Sequence, residues 1–134
     1  MTIKMSTEDF RAISTFETIT KVYPKDCLIT EDTIFFLIDG KKISLAIGKG
    51  GSTIKEVSRH LGKSVKLFEY SEDPQTFIKN MVPSAQEVKI EKGNVDITVP
   101  SKERSAVIGR EGKNIKAIKE FAIRHLGVTN LRLK

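Results

Sequence analysis

The chain has 134 residues, 39% hydrophobic and 30% charged, with a formal net charge of +6, which fits one ordinary folded domain or two small ones and excludes wholesale disorder. The longest apolar run, Ile34 to Ile38, is far shorter than the roughly 20 residues that span a bilayer, and the first residues contain no apolar signal core, so we expect a cytoplasmic protein with no membrane anchor. One cysteine and two histidines exclude a disulfide framework and a Cys/His zinc site within one chain, and no cofactor or metal is predicted.

The first half of the sequence predicts the order helix, strand, strand, helix, glycine loop, helix, strand. Ser6 to Asp9 resembles a capping box that opens a helix ending before Pro24. Four apolar residues at helical spacing predict its buried stripe: Phe10, Ile13, Phe16 and Ile19. The remaining predicted elements are strands at 26–30 and 33–38, helices at 41–47 and 51–61, a helix cap at Gly62, and a strand at 65–69.

The second half predicts the same order of elements. Asp73-Pro74 is typical of a helix start, and this short helix should stop before Pro83. The elements that follow are strands near 86–91 and 94–99, helices at 102–108 and 112–126, and a last strand from Leu131 to Leu133. Only Tyr70-Ser71-Glu72 separates the two halves, so we predict two domains, residues 1–70 and 71–134, with no flexible tether between them.

An internal repeat supports this duplication. The motif I-G-x-x-G-x-x-I occurs at Ile47 to Ile54 and again at Ile108 to Ile115, an offset of 61. The tetrapeptide Arg-His-Leu-Gly ends both long helices, at 59–62 and 124–127, an offset of 65. The four extra residues lengthen the second helix by about one turn, which keeps its apolar face in phase. Two related modules explain this pattern better than one domain.

The glycine loops lie in the two basic windows of the chain. Residues 41–67 carry seven Lys or Arg and one acid, and residues 101–134 carry nine and three. A G-x-x-G turn lets the backbone approach another chain closely, and a helix start attracts anions, so a sugar-phosphate backbone fits this position. The predicted RNA-binding residues are Ile47, Gly48, Lys49, Gly50, Gly51, Ser52, Lys55, Lys63, Ile108, Gly109, Arg110, Glu111, Gly112, Lys113 and Lys116.

The quoted motif, placed between two helices with strands on either side, resembles the K homology (KH) module, and the pair resembles the KH-KH region of the NusA family of transcription factors, in its short archaeal form. The resemblance implies an α+β fold of two tandem prokaryotic-type (type II) KH domains, each with a three-stranded mixed sheet covered by helices. It also implies a groove for about four unpaired nucleotides per module. The groove would include the segment before each last strand, near Lys63-Ser64 and Val128 to Asn130, and this is the reason for the prediction of Lys63. Its apolar floor would be drawn from Ile47, Ile54, Ile108, Ile115, Val65 and Leu131.

Three functions stay open at this point. The first is a non-catalytic, monomeric single-stranded RNA-binding protein of transcription elongation, termination or antitermination, with RNA polymerase as a candidate partner. The second is an adaptor whose KH folds mainly contact RNA polymerase or ribosomal proteins. The third is a phosphate-ester hydrolase, but the sequence contains no P-loop, no dinucleotide fingerprint and no catalytic constellation. Glu111 places an acid in the second loop, so we expect tighter RNA binding at the first.

Overall fold

The computed structural model describes residues 6–134, which divide into two compact units at the junction of Tyr70 and Ser71. Each unit has a three-stranded mixed sheet, in which the second strand lies in the centre. One neighbour of each central strand is antiparallel to it and the other is parallel. The predicted α+β class, element order and mixed sheets are therefore confirmed. Within residues 6–134, no helix is long and apolar enough to cross a membrane.

The first unit follows the predicted order closely. Its elements are α1 (Thr7–Thr20), β1 (Asp26–Ile29), β2 (Thr33–Asp39), α2 (Ile43–Ile47), α3 (Ser52–Leu61) and β3 (Ser64–Tyr70). A 3-10 turn, Lys49–Gly51, joins α2 to α3. Gly62 ends α3 at φ 69°, as its predicted capping role requires. The predicted bounds differ from these by at most two residues.

The capping box at the start of α1 forms as predicted. The Ser6 hydroxyl accepts a hydrogen bond from the Asp9 amide at 3.1 Å, and the Ser6 amide donates to the Asp9 carboxylate at 2.9 Å. The predicted apolar stripe is wrong at one end, because Phe10 is 59% exposed whereas Phe16 is fully buried. A repeated spacing of three residues drifts by about 60° per step on an α-helix. Phe10 is therefore turned well away from the face that Phe16 places on the sheet.

The core of the first unit lies between α1, α3 and one face of the sheet. Phe16 of α1 packs on Phe36 of β2 with ring centroids 4.2 Å apart, and both rings are fully buried. The buried cluster is Ala12, Ile13, Phe16, Val22, Cys27, Ile34, Phe36, Ile38, Ala46 and Val57. Because Ala46 of α2 and Val57 of α3 both belong to it, the core fixes the two helices that flank the glycine loop.

The second unit repeats this arrangement with two changes in helix length. Its elements are α4 (Pro74–Met81), β4 (Glu87–Glu91), β5 (Asn94–Thr98), α5 (Arg104–Ile108), α6 (Lys113–Leu126) and β6 (Asn130–Leu133). The first helix, α4, has eight residues against fourteen in α1, and α6 has fourteen against ten in α3. A 3-10 turn, Ser101–Glu103, occupies the start of the helix predicted at 102–108, so α5 begins two residues later than expected.

The N-cap of α4 gives a pH-dependent prediction. Hydrogen bonds from the hydroxyl and then the amide of Thr76, at 2.7 and 3.0 Å, hold the pKa of Asp73 below its usual range. A lowered pKa in the folded state means that this stabilisation is present above the pKa of the unfolded carboxyl and is lost as pH falls through the folded value. We expect Asp73→Asn, which keeps the cap, to lose less stability than the native chain between neutral pH and roughly pH 3.

Urea unfolding of both proteins at the two pH values checks this prediction. An identical pH dependence of the two unfolding midpoints would contradict it.

Candidate nucleic-acid interface

Two glycine turns join the paired helices, and we name them the first elbow, Gly48–Gly51, and the second elbow, Gly109–Gly112. Their backbones have nearly the same conformation. The first glycine has φ 76° and ψ 171° in one copy and φ 77° and ψ 172° in the other. The last glycine has φ 77° and ψ 12° against φ 74° and ψ 13°. The sequence repeat therefore corresponds to a repeated three-dimensional element.

The first position of each elbow requires glycine because the following helix packs closely against it. A Cβ built at Gly48 would lie 2.6 Å from Cβ and 2.9 Å from the amide nitrogen of Thr53, inside the first turn of α3. At Gly109 the same atom would lie 2.7 Å from Cβ of Asn114 in α6. We expected this bare backbone to face an approaching ligand, but at these two positions the close neighbour is the following helix.

The remaining elbow glycines face open space. A Cβ at Gly50 would meet nothing within 4 Å, and one at Gly51 would meet only the end of the Lys55 side chain at 3.9 Å. Gly112 repeats this geometry, with the end of Lys116 at 3.8 Å. The outer half of each elbow is therefore the part at which a ligand backbone can approach closely.

At each elbow, two amides that we expected to bind a ligand donate hydrogen bonds to carbonyls of the elbow itself. The Gly51 amide donates to the Gly48 carbonyl at 3.1 Å, and the Ser52 amide donates to the carbonyl of Lys49. In the second elbow the Gly112 amide donates to the Gly109 carbonyl at 3.1 Å. These bonds make each elbow a closed turn, so the cationic side chains around it carry more of the attraction for an anion than was expected.

Basic and polar side chains surround the outer half of both elbows. Lys49, Ser52 and Lys55 are exposed at the first elbow. Arg110 and Lys116 are exposed at the second, and Lys113 is half-buried there. Each elbow therefore presents one exposed cation within the turn and another in the first turn of the helix that follows, where the backbone is also bare.

The elbows differ at their third position. Gly50 of the first elbow has φ 63° and ψ 19°, and Glu111 of the second has φ 55° and ψ 23°. A non-glycine residue in this left-handed conformation costs roughly 1 to 2 kcal/mol. The second elbow thus keeps the shape of the first while it holds an exposed carboxylate in a strained backbone, beside Arg110.

Two exposed apolar residues lie on α2, and only one of them was predicted from the sequence. Leu45 is 54% exposed and Ile47, the predicted residue, is 40% exposed, whereas Ala46 between them is fully buried. In the second unit Ala106 takes the position of Leu45, and Ile108 is half-buried. A helix of five residues gives too short a pattern to show which apolar residues face outward.

Three other apolar expectations change with the structure. Leu131 is only 2% exposed, so it cannot offer a surface to a base. Ile54 and Val65 are partly buried and pack against the core of the first unit. Because the side chains of Ile54 and Val65 are turned toward the core, Ile47 and Leu45 are the apolar residues exposed beside the first elbow.

Lys63 does not lie at the first elbow. It follows the C-terminal end of α3, ten residues long, so about 15 Å of helix separates it from the elbow. Its amino group donates to the carbonyl of Thr30 at 2.8 Å and lies 3.9 Å from the Glu8 carboxylate. The structure brings the other fourteen predicted residues to the two elbows and the helix turns beside them, and it places Lys63 elsewhere.

The described residues contain no group of three or more His, Cys, Asp or Glu side chains that could hold a metal ion. His60 contacts the carbonyl of Glu56 at 3.0 Å in the last turn of α3. His125, in the last turn of α6, packs against the rings of Phe77 and Phe121. Both histidines thus have local structural contacts near helix ends.

The element order and the G-x-x-G elbow are those of a KH domain, an RNA-binding module. The KH domain family model matches residues 11–79, about half of the chain. A probable transcription termination protein NusA from Methanococcus vannielii is 38% identical over 99% of this chain and 80% of its own length. Its counterpart from Methanocaldococcus jannaschii is 30% identical over 98% and 75%. The crystal structure of APE1850 matches with a TM-score of 0.76 and 31% identity over 97% of this chain and all of that one.

The chain therefore belongs to the archaeal NusA-like family of RNA-binding KH proteins.

The elbow geometry predicts unequal roles for two glycines with similar positive φ. Gly48→Ala should destabilise the first unit strongly, because its methyl group would collide with the start of α3 and its ψ of 171° is a region open almost only to glycine. Gly51→Ala should cost only about 1 kcal/mol, the ordinary penalty of a left-handed residue, because its methyl group faces open space.

Urea unfolding of the two variants tests this difference, since both make the same chemical change. Equal destabilisation by the two substitutions would contradict the proposed packing role of Gly48.

Proposed function

We propose that this protein is a non-catalytic single-stranded RNA-binding factor of transcription, built of two type II KH domains, residues 1–70 and 71–134. Each domain holds a short stretch of unpaired strand at its elbow. The observation that carries this proposal is the repetition of one exposed elbow conformation, with cations beside it, in both compact units.

The elbow supports a backbone-directed mode of binding. Glycine at the outer half removes side-chain bulk, so a sugar-phosphate chain can lie directly against the turn. Lys49 is exposed within the first elbow and Lys55 in the first turn of α3 after it, so both can pair with phosphates of the strand. Such contacts fix the path of the strand but do not depend on its base sequence.

Base discrimination has to come from other contacts. The elbow residues include no aromatic side chain, so stacking of the kind used by RRM and OB-fold proteins is not available at the elbow itself. Leu45 and Ile47 provide exposed aliphatic surface next to Lys49. We propose that bases lie on this surface and are distinguished by hydrogen bonds to their edges.

The place of this binding in transcription is inferred from the relatives. Those that match are named probable transcription termination protein NusA, and the chain covers three quarters or more of each of the two compared above. We propose that this protein acts in the cytoplasm in elongation, termination or antitermination, as a monomer that contacts RNA polymerase. The RNA-binding elbows and a polymerase contact are compatible with each other, since the elbows use only one end of each helix pair.

The central test replaces the charge and the bare backbone of the first elbow. Lys49→Asp with Gly50→Asp should reduce affinity for a short unstructured oligoribonucleotide by at least tenfold, because two carboxylates then face the phosphates. The backbone should tolerate the change, since Glu111 occupies the position equivalent to Gly50 in the second elbow. Native binding should weaken with salt at a log-log slope of roughly −3, for about four phosphates contacted.

The matched control is Lys21→Asp with Gly62→Asp, which makes the same charge change. Both positions are exposed, and Gly62 has φ 69° with no atom within 4 Å of an added Cβ. Fluorescence anisotropy measures the RNA affinity of the native chain and of both variants, and thermal melting measures their stability. If the elbow variant keeps native affinity, or if native affinity does not change with salt, the RNA proposal fails and the adaptor function is favoured.

Glu111 allows the charge and the backbone of the second elbow to be tested separately. Glu111→Gly should raise RNA affinity a few-fold and raise stability by about 1 kcal/mol, because it removes both the acid and the left-handed strain. Glu111→Gln should raise affinity by a similar factor and leave stability nearly unchanged. The reciprocal change Gly50→Glu should lower affinity.

Titrations and urea unfolding of the three variants separate these effects. If Glu111→Gln and Glu111→Gly both bind RNA as the native chain does, the second elbow takes no part in the binding that we propose.

A further inference from the structure

The first unit contains a cleft at the opposite end of α3 from the elbow. It has a volume of about 520 Å³, within the range of ligand-binding clefts. Its walls come from α1, from the end of α3 and from the β1–β2 hairpin. The residues that line it are Glu8, Arg11, Ala12, Thr15, Ile29, Ile34, His60, Leu61 and Lys63. Lys63, which the sequence argument assigned to RNA, lies here.

The cleft has an aliphatic floor and a charged rim. Ile29 and Leu61 are partly buried and form the aliphatic surface that the cleft offers, and they pack against a core to which Ala12 and Ile34, each 3% exposed, belong. Arg11 and His60 are exposed on the rim, and Lys63 is held there by its bond to the Thr30 carbonyl. Among the described residues of this rim Glu8 is the one acid, and because it lies 3.9 Å from Lys63, Arg11 leaves the rim with a net positive charge.

The part of α1 that builds the cleft is absent from the second unit. By the repeat offset of 61, Ala12 corresponds to Asp73, which is the N-cap of α4. Thr7 to Ala12 are therefore additional helix in the first unit, and they carry Glu8, Arg11 and Ala12. Because α4 completes its unit without these turns, closing the sheet does not require them.

We propose that this cleft binds a short acidic segment of a partner protein, with one aliphatic side chain of that segment in the cleft. The aliphatic floor fits a leucine or isoleucine side chain, and the carboxylates on either side would meet Arg11 and Lys63. An RNA strand fits less well. The middle of the cleft is aliphatic, and the one aromatic ring among the described residues that line it, that of His60, lies exposed on the rim.

The probe is a short synthetic peptide with one leucine flanked on both sides by aspartate and glutamate. Added to the isotopically labelled full chain, it should shift the NMR amide signals of Ala12, Thr15 and Leu61 and leave those of the first elbow unchanged. Replacing its leucine by alanine, or its acidic residues by lysine, should each weaken binding by about five- to tenfold. RNA and inorganic phosphate are the comparison ligands.

Two variants separate this site from the RNA site. Arg11→Glu should weaken peptide binding about five- to tenfold and leave RNA binding unchanged, since Arg11 is an exposed side chain remote from the elbow. Lys49→Asp with Gly50→Asp should do the reverse. Melting curves of both variants show that each is folded.

The proposal is overturned if the acidic peptide produces no shifts at the cleft, if the lysine peptide binds equally well, or if Arg11→Glu leaves its binding unchanged. Shifts at the same amides with RNA or with inorganic phosphate, but not with the peptide, would assign the cleft to an anion and also overturn it. None of these results bears on whether the elbows bind RNA, so the two proposals fail separately.

Discussion

The close approach of the first elbow glycine to the helix that follows it determines the geometry of both candidate RNA sites. At Gly48 and Gly109 no Cβ fits, because the first turn of the next helix lies directly against the backbone. This contact forces a sharp reversal between two helices that are each anchored in a core, by Ala46 and Val57 in the first unit. The outer half of the elbow is consequently held away from the core, where it is open to solvent.

This separation of tasks within four residues explains why the motif spaces its glycines as it does. The first glycine satisfies an internal packing requirement and the last leaves the outer surface clear. The position before the last glycine meets no such packing requirement, since nothing lies within 4 Å of a Cβ built at Gly50. Charge can therefore be placed there freely, as Lys49 and Arg110 show, without altering the turn.

Much of the architecture was predictable because its signals are local or repeated. The capping box at Ser6, the helix start at Asp73 and the cap at Gly62 each depend on neighbouring residues, so sequence spacing alone identifies them. The elbows were identified because the motif occurs twice at one offset. Phe10 was placed wrongly because its spacing fits a stripe only when the angular drift along the helix is ignored.

What the sequence did not reveal depends on contacts between distant segments. The family resemblance placed Lys63 in the RNA groove, yet the partner of its amino group is the Thr30 carbonyl, which only the folded sheet brings near. Leu131 looks like a groove residue by its position in the last strand, but it is only 2% exposed in the folded unit. The same limit applies to the cleft, whose lining comes from four separate elements that no linear pattern connects.

The second elbow shows how far the surrounding fold controls the turn. Glu111 lacks the freedom of glycine, yet its φ and ψ lie within about ten degrees of those at Gly50. A turn shaped by its own residues would relax when glycine is replaced, so the conformation must be imposed by the anchored helices on either side. Asn114 contributes to that anchoring in the second unit, because its side-chain amide donates to the Val107 carbonyl at 2.9 Å and ties α6 to α5. Since the framework sets the shape, the two copies can differ in charge while both keep the same exposed turn.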